Sequence, residues 1–233
     1  MRLVYPPRCL CCGDLVESEF GLCGPCWRDT PFITGLTCEG CGTPLMGDSD
    51  DPEFCDDCLS LSPPWARGRA AFLYEGNARK MILALKHGDR HEIARGAGQW
   101  MVNAGRDLLR QDAILAPIPL HWTRMVKRRF NQAALLARSV SRISGLTYCP
   151  DLLHRTRKTS STEGMSREER FTQIEGSMII PPSRRALIAG KSVVLVDDVM
   201  TTGATFSAAT QACLVAGACD VSALVLARVA MKP

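Results

Sequence analysis

The sequence predicts an α/β fold, a parallel sheet with helices on both faces, preceded by a small cysteine-rich unit. Three observations carry this. From residue 69 onward, short apolar runs alternate with segments of helical periodicity, the strand–helix–strand order that builds a parallel sheet. Before residue 59 stand four C-x₂-C elements in two similar pairs. Charge divides along the same line: residues 1–64 hold 3 basic and 11 acidic side chains (net −8), and residues 65–233 hold 25 basic and 13 acidic (net +12). The junction is Ser60-Leu-Ser-Pro-Pro64, whose paired prolines resist regular structure, so we expect domains over 1–64 and 65–233.

In the first unit, Cys9/Cys12 and Cys23/Cys26 recur as Cys38/Cys41 and Cys55/Cys58, with Gly13 recurring as Gly42. Two residues between thiolates let the backbone fold into a knuckle with both sulfurs facing one cation, and the following glycine tolerates positive φ. Four thiolates at about 2.3 Å from one ion make a structural zinc site. Disulfides would need an oxidising compartment, and redox dithiols usually occur singly beside a βαβ unit. Two zinc ions are therefore expected. The repeat favours sequential pairing, first element with second and third with fourth; a cross-braced pairing stays open. Cys11 falls outside the spacing. Each unit of roughly 30 residues is too small for a sufficient apolar core, so zinc supplies much of its folding free energy. A closed Cys₄ site leaves no position for catalysis and adds a net charge of about −2, which disfavours a phosphate backbone as its partner.

In the second unit, Arg69–Tyr74 reads as a strand and Ala78–Lys86 as a helix capped by Asn77. Ile93, Ala97, Trp100, Met101, Ala104 and Leu108 predict a helix from about Glu92 to Arg110. Asp112–Ala116 reads as a strand stopped by Pro117-Ile118-Pro119, and Asn131–Ser144 as an amphipathic helix ended by Gly145. Residues 156–164 are polar and aperiodic, which predicts a long loop. Lys191–Val196 and Val221–Leu226 are buried strands around a helix from Thr202 to Ala216. The composition, 46% hydrophobic and 22% charged, excludes disordered, collagenous and coiled-coil chains. No apolar run reaches the ~18 residues of a membrane span, and the N-terminal stretch has no secretory core, so a cytoplasmic protein is expected.

The segment most informative about chemistry is Val193-Val-Leu-Val-Asp-Asp-Val-Met-Thr-Thr-Gly-Ala-Thr205. Ligands of open α/β sheets sit at the C-terminal ends of strands. Here a buried strand ends in Asp197 and Asp198, a small hydroxylated loop follows, and a helix begins. Its N-terminus offers unpaired N–H groups to an anion. Thr201, Thr202 and Thr205 add hydroxyls, and Gly203 permits close approach. The carboxylates can accept hydrogen bonds from a sugar diol or help hold hydrated Mg²⁺. Phosphate on one side and diol on the other outline a ribose 5-phosphate. A P-loop and a G-x-G-x-x-G fingerprint are both absent.

Val193–Thr205 resembles the phosphoribosyl pyrophosphate signature of type I phosphoribosyltransferases. With the cysteine repeat, Leu85–Arg90, Pro117–Arg124 and Arg129–Ala133, nearly the whole chain resembles the ComF (competence protein F) family. The resemblance implies a type I phosphoribosyltransferase fold with an N-terminal double zinc ribbon. It implies that Asp197 and Asp198 contact the ribose hydroxyls and act in catalysis, that Met200, Thr201, Thr202, Gly203, Ala204 and Thr205 bind the 5′-phosphate, and that Val199 belongs to the substrate-binding segment. Pro117, Ile118 and Pro119 would form the pyrophosphate loop, with Arg124 near it. Arg157 and Lys158 would lie in a lid that closes over the pyrophosphate; within that stretch Ser166 and Arg167 match the family pattern and the residues before them do not. Mg²⁺ would accompany phosphoribosyl pyrophosphate. By resemblance the association is with DNA uptake in natural transformation, through DNA-uptake proteins or single-stranded DNA. The rival is a non-catalytic module that senses a nucleotide-like ligand and docks a partner through the ribbon. The cluster Arg124, Lys127, Arg128, Arg129 reads either as a solvated face or as an anion site. Asn131 and Gln132 either cap a helix or reach substrate, and no acceptor-side base is legible.

Overall fold

Val, Leu and Ala dominate the strand segments in unbroken runs, the pattern of strands buried on both faces. A computed structural model describes residues 6–88, 90–120, 130–157, 169, 172, 174 and 176–229. In it, β1 (Arg67–Leu73), β2 (Ile114–Pro117), β3 (Thr147–Tyr148), β6 (Ser192–Met200) and β7 (Asp220–Arg228) form a parallel sheet of order β1-β7-β6-β2-β3. Two short strands, β4 (His154–Arg155) and β5 (Met178–Ile179), pair antiparallel beside it. Side chains alternate across the sheet. Val194 and Val196 point into one core with Phe72, Met81, Leu85, Met101 and Leu136, from β1 and from α3 (Gly76–His87), α4 (Ile93–Ala104) and α5 (Gln132–Ser144). Val193 and Leu195 point into the other with Ile188 and Phe206, from α6 (Pro182–Ile188) and α7 (Ala204–Val215).

Several boundaries differ from expectation. α4 stops at Ala104, short of Arg110, because Gly105 follows against β7: a Cβ there would lie 2.7 Å from Leu224 Cδ1. Asn77 does not cap α3. Glu75 holds that position, and Asn77 Nδ2 donates to the Cys26 carbonyl at 3.4 Å. β6 runs on through the acid pair to Met200, and α7 begins at Ala204. The expected loop at 156–164 lies largely outside the described residues. Asn131 caps α5, its Oδ1 accepting from Ala133 N at 3.0 Å, and Gly145 ends that helix at φ +76°.

The cysteine-rich unit, which includes α1 (Gly24–Arg28) and α2 (Asp56–Ser60), packs into the same body. Leu10, 3% exposed, joins the α3–α5 core, and a Cβ on Gly96 of α4 would strike Leu10 Cδ1 and the Phe20 carbonyl, both at 2.5 Å. The Phe32 ring sits 4.9 Å from Phe72 and 6.0 Å from Trp100. Glu39 pairs with Arg67 at 2.9 Å and Arg69 at 2.5 Å. Among the described residues, no helix is long and apolar enough to cross a membrane.

Candidate functional site

The eight predicted ligand cysteines gather into two groups, Cys9/Cys12/Cys23/Cys26 and Cys38/Cys41/Cys55/Cys58, each with its sulfurs within 4.8 Å of one another. The pairing is therefore sequential. The knuckles repeat bond for bond. Gly13 N donates to Cys9 O and Gly42 N to Cys38 O. Cys23 N and Cys55 N donate to the sulfurs of Cys9 and Cys38, both at 3.3 Å. Sγ separations of 3.6 Å (Cys12–Cys23) and 3.7 Å (Cys41–Cys55) match the about 3.8 Å between corners of a tetrahedron with 2.3 Å Zn–S bonds. Without a cation the thiols conflict. Burial pushes Cys9 up, yet the backbone N–H groups of Cys12, Cys23 and Cys11 bring it down to about 6. Cys55 is pushed up to about 11, by burial first and then by its charged cysteine neighbours. A dication resolves that conflict, so the donor sets fit structural zinc. Cys11 packs against the core instead.

The second site forms where β6 emerges between β7 and β2. Pro117 pairs with Val196, and Ile118 N donates to Val196 O at 2.9 Å, which sets the Pro117–Pro119 turn beside the acid pair. Asn131 Nδ2 fixes this turn by donating to the Ile118 carbonyl at 3.0 Å. Asp197 and Val199–Phe206 line a hollow of about 40 Å³ together with Ile174. Gly203 holds φ +81°, the left-handed conformation that lets the chain turn directly into α7. Asp198 is 8% exposed, and its Oδ1 lies 2.9 Å from Lys86 Nζ at the end of α3. Asp197 Oδ1 accepts the Asp198 N–H at 2.8 Å. Burial, then the neighbouring Asp198 charge, pushes the Asp197 carboxyl up to about 7. Lys86 and, at longer range, Arg155 act against that rise, so the acid pair sits among positive charges with Asp198 held in an ion pair.

Not every expected residue converges. Arg157 is exposed beside Gly176 and is not among the residues lining the hollow. Arg124 and Lys158 lie outside the described residues, as do Lys127, Arg128 and Arg129. Lys86 was missed as a site residue, although Leu85–Arg90 stands out in the sequence; only the fold brings the end of α3 to β6.

Comparisons with known proteins place both parts of the chain. The double zinc ribbon domain family matches residues 1–59, and the phosphoribosyl transferase domain family matches residues 131–232. The DNA utilization protein YhgH of Escherichia coli strain K12 is 30% identical over 97% of this chain and 99% of its own. Competence protein F of Haemophilus influenzae is 27% identical over 86% of this chain and 87% of its own. The chain belongs to the competence protein F family. This ComF protein thus has a phosphoribosyltransferase fold joined to a double zinc ribbon. Among solved structures, the glutamine phosphoribosylpyrophosphate amidotransferase of Bacillus subtilis is similar at 18% identity and TM-score 0.39, over 57% of this chain and 26% of that one.

Proposed function

We propose that this ComF protein binds phosphoribosyl pyrophosphate with Mg²⁺ in the Asp197–Phe206 hollow, transfers its phosphoribosyl group to an acceptor, and serves the cytoplasmic handling of incoming DNA. One observation carries the reading: an acid pair at the end of a central strand opens onto a glycine-turned hydroxyl loop at a helix N-terminus. The loop N–H groups and the hydroxyls of Thr201, Thr202 and Thr205 take the 5′-phosphate. Asp197 and Asp198 take the ribose hydroxyls. Mg²⁺ fits the same donor set, because carboxylate oxygens are the hard donors that cation takes; when bound, it would offset the charge of the departing pyrophosphate. Pro117–Pro119, pinned by Asn131, flanks the pyrophosphate, Arg124 serves as an anion contact following that turn, and Arg157 and Lys158 belong to the lid. Transfer proceeds through a cation-like sugar and needs orientation and exclusion of water rather than a protein nucleophile.

A second reading, ligand sensing without transfer, draws on the Lys86–Asp198 contact: a lysine already occupies one carboxylate, so ligand could be held without turnover. Both readings predict binding, measured by calorimetry, and loss of binding in the Asp197→Asn, Asp198→Asn double variant with zinc content unchanged. Wild-type affinity in that variant refutes the site. Pyrophosphate release with any acceptor across a panel of nucleobases selects the enzyme; binding without release selects the sensor.

A further inference from the structure

An anion-binding loop works only if its N–H groups are held outward before the ligand arrives, and what holds this one lies behind it. Arg228, at the end of β7 and 4% exposed, directs Nη1 at the carbonyls of Met200 (3.2 Å) and Thr201, and also at that of Val229 (2.8 Å). In a trans peptide, C=O and the next N–H point in opposite directions. The Met200 carbonyl also accepts from Val229 N at 2.9 Å, so strand pairing and Arg228 together turn the Thr201 N–H away from the guanidinium, and Arg228 through the Thr201 carbonyl does the same for the Thr202 N–H. The hollow has no Arg228 in its walls and is lined by both threonines.

The second support is Trp65. Its ring lies so close under Gly203 that a Cβ there would sit 2.6 Å from the Trp65 Cη2 atom. The same ring is 5.9 Å from Phe206, one turn into α7. Its far end belongs to the ribbon: Nε1 donates at 2.6 Å to the carbonyl of Gly40, which lies between Cys38 and Cys41. A Cβ on Gly40 would lie 3.0 Å from Cys58 Sγ, so this carbonyl is set by the folded knuckle. A cleft of about 280 Å³, walled by Cys41, Cys58, Trp65, Met200, Thr202 and Arg228, runs between the knuckle and the loop. The first cysteine group has no equivalent contact with the loop among the described residues.

We propose that Trp65 and Arg228 are positioning residues that preset the Thr201–Gly203 loop, and that Trp65 makes this setting depend on the second zinc knuckle but not on the first. The ribbon would then act as a built-in buttress of the phosphate site. The inference rests on reading that loop as a phosphate cradle, and its test separates the two.

Amide hydrogen exchange is followed in the ligand-free, zinc-loaded full chain, comparing a peptide over 198–207 with one over 132–144. Trp65→Phe keeps an aromatic ring but loses the bond to Gly40. Arg228→Lys keeps the charge with one donor head, and Arg228→Met keeps neither. Trp65→Phe and Arg228→Met should each speed loop exchange by about tenfold, the factor expected for one lost buried hydrogen bond, with residues 132–144 unchanged. Arg228→Lys should recover part of the protection. Cys58→Ser should reproduce the Trp65→Phe effect and Cys12→Ser should not. Loop exchange within twofold of the unaltered chain in both Trp65→Phe and Arg228→Met overturns the proposal, and so does an equal response to Cys58→Ser and Cys12→Ser. Phosphoribosyl pyrophosphate with MgCl₂ is then titrated: failure of the unaltered chain to bind it refutes the phosphate reading alone, because exchange decides the buttress without ligand.

Discussion

Asp197 and Asp198 are chain neighbours in unlike surroundings. Asp198 has the Lys86 ammonium at 2.9 Å; burial and the Asp198 charge raise Asp197 to about 7, against an ordinary 3.8. The folded chain therefore holds a proton on Asp197 across a window in which the unfolded chain has released it. A carboxyl whose folded pKa is raised contributes stability below its unfolded pKa and loses it as pH rises through the folded one. Ligand-free, zinc-loaded protein should lose stability from this group between about pH 4 and pH 7, by up to ~1.4 kcal/mol per pH unit. Asp197→Asn should remove that dependence and be the more stable form at pH 8. Urea unfolding of both proteins from pH 5 to 8 measures it; parallel curves would show that Asp197 titrates normally. Lys86→Met should act in the opposite sense, costing about 3 kcal/mol, since it strands Asp198 in a nearly closed site. That figure is checked in the same titrations.

At the scale of elements, the two zinc knuckles are copies in sequence and bonding but not in setting. Cys38, Cys41 and Cys58 are buried in the core that holds Trp65 and Phe206, whereas Cys12 of the first group is exposed. Cys38→Ser should leave one zinc per chain and lower the thermal midpoint by several degrees more than Cys12→Ser does, read by metal analysis and calorimetry. The repeated glycine gives a matched pair. Gly13 (φ +87°) has open space where a Cβ would stand, but at Gly42 (φ +70°) a Cβ would lie 2.9 Å from Ala70 N and Arg69 Cα. Gly13→Ala should cost only the left-handed strain of about 1–2 kcal/mol. Gly42→Ala should cost clearly more, because backbone cannot move aside as a side chain can; equal losses would mean that the ribbon does not press on β1. These elements also mark what was legible in sequence. Cysteine spacing and the strand–acid–loop–helix order are local patterns with a chemical reason, and both could be read directly. β3, β4 and β5, two residues each, carry no period, and α6 opens on Pro182 amid loop-like residues. Lys86, Trp65 and Arg228 reach the loop only through tertiary packing, which no local spacing encodes. Asn77 suited a cap by composition, yet it was drawn to the Cys26 carbonyl by the docked ribbon.

Taken as a whole molecule, the charge split of −8 against +12 lies across one packed body, since Leu10 and Phe32 of the ribbon sit against the core of the larger domain. The two parts cannot be separated cleanly at residue 64: cutting there bares apolar surface on both sides. The electrostatic question is better put to the full chain. Nucleic-acid affinity built on phosphate contacts falls steeply with salt, because each contact releases counterions. The ribbon gathers Asp48, Asp50, Asp51 and Glu53 around one hollow, a charge that opposes a phosphate backbone there. Any affinity for single-stranded DNA should therefore run through the basic domain. Replacing Arg124, Lys127, Arg128 and Arg129 by Ala should flatten the log–log salt slope by up to about 3, at about 0.7 per phosphate contact on a single strand. Asp48→Asn, Asp50→Asn and Asp51→Asn together should instead raise affinity most at low salt and so steepen that slope slightly, since they remove a screened repulsion without adding a contact. Fluorescence anisotropy of a labelled oligonucleotide between 50 and 300 mM salt reads both. If the acidic triple variant weakened binding instead, the ribbon would be a DNA-contacting surface and the division of labour drawn from charge would be wrong.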